Sequence, residues 1–130
     1  MGYDKGHQEF HGVDMKEGFH TVPGYPWGFS EKILAGTLDE KNKVGNRTRI
    51  LKIEPGAYST VPFVHEYWEE VYVISGDLIV GNDKNGKGGA RFGPNTYACR
   101  PPGTLHGPFR SETGCLLLEL HYYDDGAVKA

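Results

Sequence analysis

At 130 residues with a net charge of −3, the chain is one domain, long enough to bury a core without disulfide staples. Its charge gives no reason to expect nucleic acid or an anionic membrane surface as a partner, which leaves small molecules and other proteins. Nineteen glycines and eight prolines beside eight tyrosines, six phenylalanines and two tryptophans exclude a low-complexity chain and favour an all-β domain of short strands and many turns.

The start, Met1 to His7, lacks the apolar run of a leader, and no later stretch approaches the length of a membrane span, so a cytoplasmic location is expected. Residues 1–26 are rich in Gly and His with scattered apolar positions, and are expected to form an arm lying against the body or a partner subunit. His7, His11 and His20 are expected to be solvated there. Residues 27–130 then form the single barrel domain. Lys32 to Leu38 reads as a strand ended by the polar turn Asp39 to Lys43. Arg47 to Glu54 is the next, with Arg49, Leu51 and Ile53 on one face, and Pro55-Gly56 stops it. Arg49 on that face is either a solvated strand-end charge or an anchor for a substrate carboxylate or enolate.

A strand from Glu69 to Ser75 meets the turn Gly76-Asp77, and Leu78 to Gly81 continues beyond it. Asn82 to Gly89 is a hairpin tip; its Asp-x-Asn-Gly start lacks the further oxygen ligands and late Glu of a calcium loop. Thr96 to Arg100 and Cys115 to Tyr123 supply the last strands. In Leu116 to Tyr123 the even-numbered face, Leu118, Leu120 and Tyr122, is the more apolar and is expected to point inward, which would set His121 outside. Cys99 and Cys115 are too far apart for a redox CxxC pair and read as small buried hydrophobes. The sequon Asn46-Arg47-Thr48 is expected to be idle.

Short strands at roughly ten-residue spacing predict a sandwich or barrel. Phe63, His65, Glu69, Val71 and Val73 share parity, so a His and a Glu are expected on the inward face, where burial is costly unless they are paired or ligated. The turn Pro101-Pro102-Gly103 can bring His106 to the same cavity. One carboxylate and two imidazoles would leave positions open on a metal. Tyr67 and Trp68, between His65 and Glu69, are expected to pack over the site as lid or pocket wall.

The stretch from Pro55-Gly56 through His65, Glu69 and Gly76 resembles the first motif of the cupin superfamily, and Gly93 through Pro101-x-Gly103-x2-His106 is similar to the second. The resemblance covers about residues 50 to 110. It implies a double-stranded β-helix, or jelly roll, with a divalent metal near one mouth; by position His65, Glu69 and His106 are ligands. The chain departs from the pattern at Phe63, where the family usually has its first His, at Arg110 in place of Asn, and at Gly93, two residues too far from Pro101, which suggests a bulge or longer strand. Either the site works as a 2-His-1-carboxylate set with Phe63 shaping the pocket, or the barrel is metal-free. The expected function is a metal-dependent enzyme acting on a small oxygen-rich or aromatic molecule, most of all an iron dioxygenase, with zinc, nickel or manganese serving an isomerase or decarboxylase instead. A non-catalytic ligand-binding module is the alternative. A homodimer is expected by analogy, with the arm as its exchanging element.

Overall fold

The structure, a computed structural model, describes residues 5–124. Among the described residues, eleven strands run in chain order: β1 (His20–Thr21), β2 (Phe29–Asp39), β3 (Val44–Ile53), β4 (Phe63–Val64), β5 (Trp68–Gly76), β6 (Leu78–Val80), β7 (Ala90–Phe92), β8 (Tyr97–Arg100), β9 (Leu105–His106), β10 (Phe109–Arg110) and β11 (Cys115–Tyr122). Every pairing is antiparallel. The large sheet has the order β1-β2-β3-β11-β5-β8, and two short sheets, β10-β6-β7 and β4-β9, complete the barrel. The fold is all-β, a jelly roll.

The core joins the sheets. Leu51, Ile53, Val71, Val73 and Leu117 of the large sheet pack against Leu78 of β6, with Val80 and Phe109 beside them. In β5 the odd positions Glu69, Val71 and Val73 are buried while Tyr72 and Ile74 are exposed, so the alternation sets this strand's inward face as expected. The chain turns at Gly76 with φ of 81°, and a Cβ there would lie 1.8 Å from Gly114 O; only glycine fits so close a backbone crossing. Asp77 next to it accepts from Ser111 Oγ at 2.8 Å and from Thr113 N at 2.9 Å, which pins the loop that feeds β11.

Several expectations need correction. In β11 the odd face is the inner one: Cys115, Leu117, Glu119 and His121 are buried, while Leu116, Leu118, Leu120 and Tyr122 are half-buried. The inner face accepts Glu119 and His121 because ionic partners on neighbouring strands satisfy them, so apolarity alone misplaces it. Cys99 is exposed; Cys115 is buried. The extra residues after Gly93 form a turn, with Asn95 at φ of 67° and Thr96 Oγ1 donating to Gly93 O at 2.7 Å, rather than a bulge. At the hairpin tip, backbone N–H groups of Asn85 and Lys87 occupy Asp83 Oδ1 at 2.9 and 3.0 Å.

The arm lies along its own barrel. Gln8 Nε2 donates to Leu34 O at 2.8 Å, and the Phe19 ring sits between the Lys32 and Lys52 ammoniums, 5.2 and 5.1 Å from its centroid. His7, His11 and His20 are exposed. Tyr25, at the end of this segment, enters the barrel and stacks on Phe63 at 4.4 Å between centroids.

Candidate metal centre

Three separate elements deliver the expected ligand residues to one place. Glu69 points inward from β5. His106 lies on β9, directly across from Phe63 of β4, and Gly103 N donates to His65 O at 2.8 Å, so the Pro101-Pro102-Gly103 turn is tied to the backbone of His65. One donor atom from each of His65, Glu69 and His106 falls within 4.8 Å of the others. His106 is 2 % exposed. Its Nδ1 approaches Glu69 Oε1 at 2.9 Å yet makes no hydrogen bond to it or to any other described group. A buried imidazole nitrogen without a hydrogen bond, beside an ionised carboxylate and a second imidazole, is a donor set that fits a divalent metal.

The protonation states fit as well. Burial pushes the His65 imidazole down to about 4, against the milder upward pull of Glu69, so it is neutral near pH 7 with a lone pair to donate. Burial alone would raise Glu69, but His106 and His121 beside it outweigh burial and hold it well below the ordinary carboxylate range. A metal needs both groups in these forms.

Glu69 is steered from its other oxygen. His121, fully buried, meets Glu69 Oε2 through Nε2 at 2.8 Å, and its Nδ1 accepts from Arg47 Nε at 3.1 Å and faces Arg47 Nη2 at 2.9 Å. Because a guanidinium can only donate, this pattern assigns the proton to Nε2, which donates to Glu69. His121 therefore orients the carboxylate, as a partner behind a metal ligand does. A second acidic and imidazole group, Glu69, Glu119 and His121, is also compact enough for a metal, but its charges already have protein partners. Arg49 Nε donates to Glu119 Oε1 at 2.8 Å and Arg49 Nη1 to Glu31 Oε1 at 2.8 Å.

Arg49 is thus neither a solvated strand-end charge nor a free substrate anchor. It is 2 % exposed, and its donors go to Glu119, Glu31 and, at 3.5 Å, the Tyr25 hydroxyl. Trp68 also needs correction. It is the Cα partner of Tyr122 and stacks on that ring at 6.5 Å, on the outer face, with no place in the pocket wall. Tyr67 is buried and stacks on His65 at 4.6 Å, so it backs the imidazole rather than lining the cavity as expected. Phe63 does line the cavity.

That cavity has a volume of about 210 Å³. Most of its wall is apolar, contributed by residues such as Phe29, Ile53, Val73, Leu78 and Phe109, and its polar members include His65, Glu69, His106 and Arg100. Arg47, Glu119 and Arg100 were not singled out from sequence. The available signal was a two-residue complementarity, Arg47-x-Arg49 against Glu119-x-His121, which becomes meaningful once β3 and β11 are paired.

No protein-family model matches the sequence, and no curated protein sequence does. Solved structures do match. KdgF from Halomonas sp. is 23% identical, with 92% of this chain and 98% of that one covered and a TM-score of 0.63. An acetylacetone dioxygenase from Acinetobacter johnsonii is 16% identical, with 98% and 86% covered and a TM-score of 0.61. The Cupin_2 domain of an XRE family transcriptional regulator from Enterobacter cloacae is 25% identical, with 75% and 99% covered and a TM-score of 0.54. The fold is that of a small cupin domain.

Proposed function

We propose that this small cupin domain is a metal-dependent enzyme in which His65, Glu69 and His106 hold a divalent metal, and that it acts on a small oxygen-rich or aromatic molecule as a dioxygenase-type oxidoreductase. Iron is the first choice of metal, with zinc, nickel or manganese the alternatives. The observation that carries this reading is a neutral imidazole, a second imidazole whose Nδ1 makes no hydrogen bond and an ionised carboxylate converging on a largely apolar cavity. A metal held there with open positions would supply Lewis acidity and, for iron, redox chemistry toward oxygen. The chain's own residues hold Glu69 in place from behind through His121 and Arg47, back His65 with Tyr67, and keep water away from the reacting end with the apolar wall. The fold shared with an acetylacetone dioxygenase supports the reaction class by analogy.

The test is elemental analysis of protein purified without added metal, repeated for His106→Ala. Stoichiometric metal in the wild type and its loss in the variant are expected. If neither preparation holds metal and neither takes up iron, zinc, nickel or manganese, the metal reading is lost. A second reading, a non-catalytic ligand-binding module, is favoured by Phe63, which puts an apolar ring where a fourth ligand would stand. The fully exposed Phe10 of the arm and the exposed Trp27 that follows it support a homodimer in which these rings, on the outer side of an arm seated on its own barrel, meet a second copy.

A further inference from the structure

We propose that Arg100 anchors the anionic end of the ligand, and that the cavity takes a small aromatic or alkyl carboxylate. The inference rests on the reading of this cavity as the substrate site. It does not depend on which metal, if any, is bound.

The chain has five arginines, and four of them are engaged by protein groups. Arg47 donates to His121, Arg49 to Glu119 and Glu31, Arg91 to Asp77 and Glu112, and Arg110 to Glu112 at 3.0 Å and to Gly88 O at 2.9 Å. Arg100 differs. Among the described residues its guanidinium makes no ion pair and no hydrogen bond, and its one specific contact is with the Phe109 ring, 5.6 Å from the centroid. The β5–β8 register sets it directly opposite Glu69, so its side chain shares the inward face with the metal-ligand set and lines the cavity. It is half-buried.

A partly desolvated guanidinium facing an apolar cavity lacks the carboxylate that its four counterparts, or their neighbours, already have. The cation–π contact with Phe109 leaves its N–H groups available to a planar, two-oxygen anion. Although Glu69 is its register partner, the two form no ion pair among the described residues, and the Glu69 oxygens lie 2.9 and 2.8 Å from His106 Nδ1 and His121 Nε2. Apart from the proposed metal-binding residues and a few other polar groups, the rest of the wall is mostly apolar and suits an apolar body. One carboxylate on a small ring or alkyl chain matches this combination of a single cationic donor and a cavity of about 210 Å³.

Calorimetric titration of the metal-stripped full chain with phenylacetate and with phenylacetamide, near neutral pH, tests the assignment. The wild type is expected to bind the anion about ten-fold more tightly than the amide, the size of a charge-assisted pair over a neutral one. Arg100→Met is expected to bind both alike, and Arg100→Lys to keep part of the preference. Equal binding by the wild type, binding of neither probe, or an undiminished preference in Arg100→Met would each overturn the proposal. The wild-type comparison needs no substitution, so it decides even if a variant fails to fold. Repeating the titration with zinc loaded separates the two readings. A preference that appears only with zinc assigns the anion to the metal and overturns the role of Arg100, whereas a preference in stripped protein stands even if no metal is ever found.

Discussion

Glu69 has two neighbourhoods, and they differ in how charge is satisfied. Behind it, Arg47, Arg49, Glu31, Glu119 and His121 form a closed network in which the arginine donors meet protein acceptors. In front, among the described residues, His106 Nδ1 lies 2.9 Å from Glu69 Oε1 but makes no hydrogen bond, His65 is held neutral, and the Arg100 guanidinium meets only an aromatic ring. Both sides are made of the same residue types. What separates a structural cluster from a binding one is whether the protein completes it internally.

The largest expected effect lies in the closed network. Arg49→Met leaves Glu119 and Glu31 without their cation, and should cost about 3–5 kcal/mol of stability, the usual penalty for stranding a buried charge. Urea unfolding measures it, and a loss below about 1 kcal/mol would mean that the network is not a structural unit. On the open side, Phe63→His should change stability little but tighten metal binding about ten-fold, or ~1.4 kcal/mol, because position 63 faces His106 across β4 and β9. Competition with a chelator of known affinity reads this directly; unchanged affinity would place residue 63 outside the metal's reach. The smallest effect belongs to Trp68→Phe on the outer face. Metal affinity should stay within about two-fold, and the stability change within about 1 kcal/mol, as for a half-buried site away from the core. A larger shift in affinity would return Trp68 to the pocket.

Much of the architecture was legible because some strands alternate cleanly. Glu69, Val71 and Val73 face inward as their parity requires, and the spacing of His65, Glu69, Pro101, Gly103 and His106 implied a convergence that the turn hydrogen-bonded to His65 O realises. Where the alternation is ambiguous the reading failed. In β11 both faces carry large side chains, and the inward choice depends on partners 70 or more residues away, Arg49 for Glu119 and Arg47 for His121. Strands as short as β4, β9 and β10, of two residues each, carry no period to detect. Arg100 could not be recognised as the arginine without an acceptor among the described residues until the other four had been given theirs.

The stack of Tyr25 on Phe63 makes the wall of the cavity discontinuous in the covalent chain. A segment that precedes the first long strand supplies one of its surfaces, and the Tyr25 hydroxyl also meets Arg49. The cavity and the closed ionic network are therefore shored up by the same tyrosine. A barrel cut to begin at Trp27 would keep its long strands but lose that prop, so the chamber's shape depends on residues that precede the first long strand.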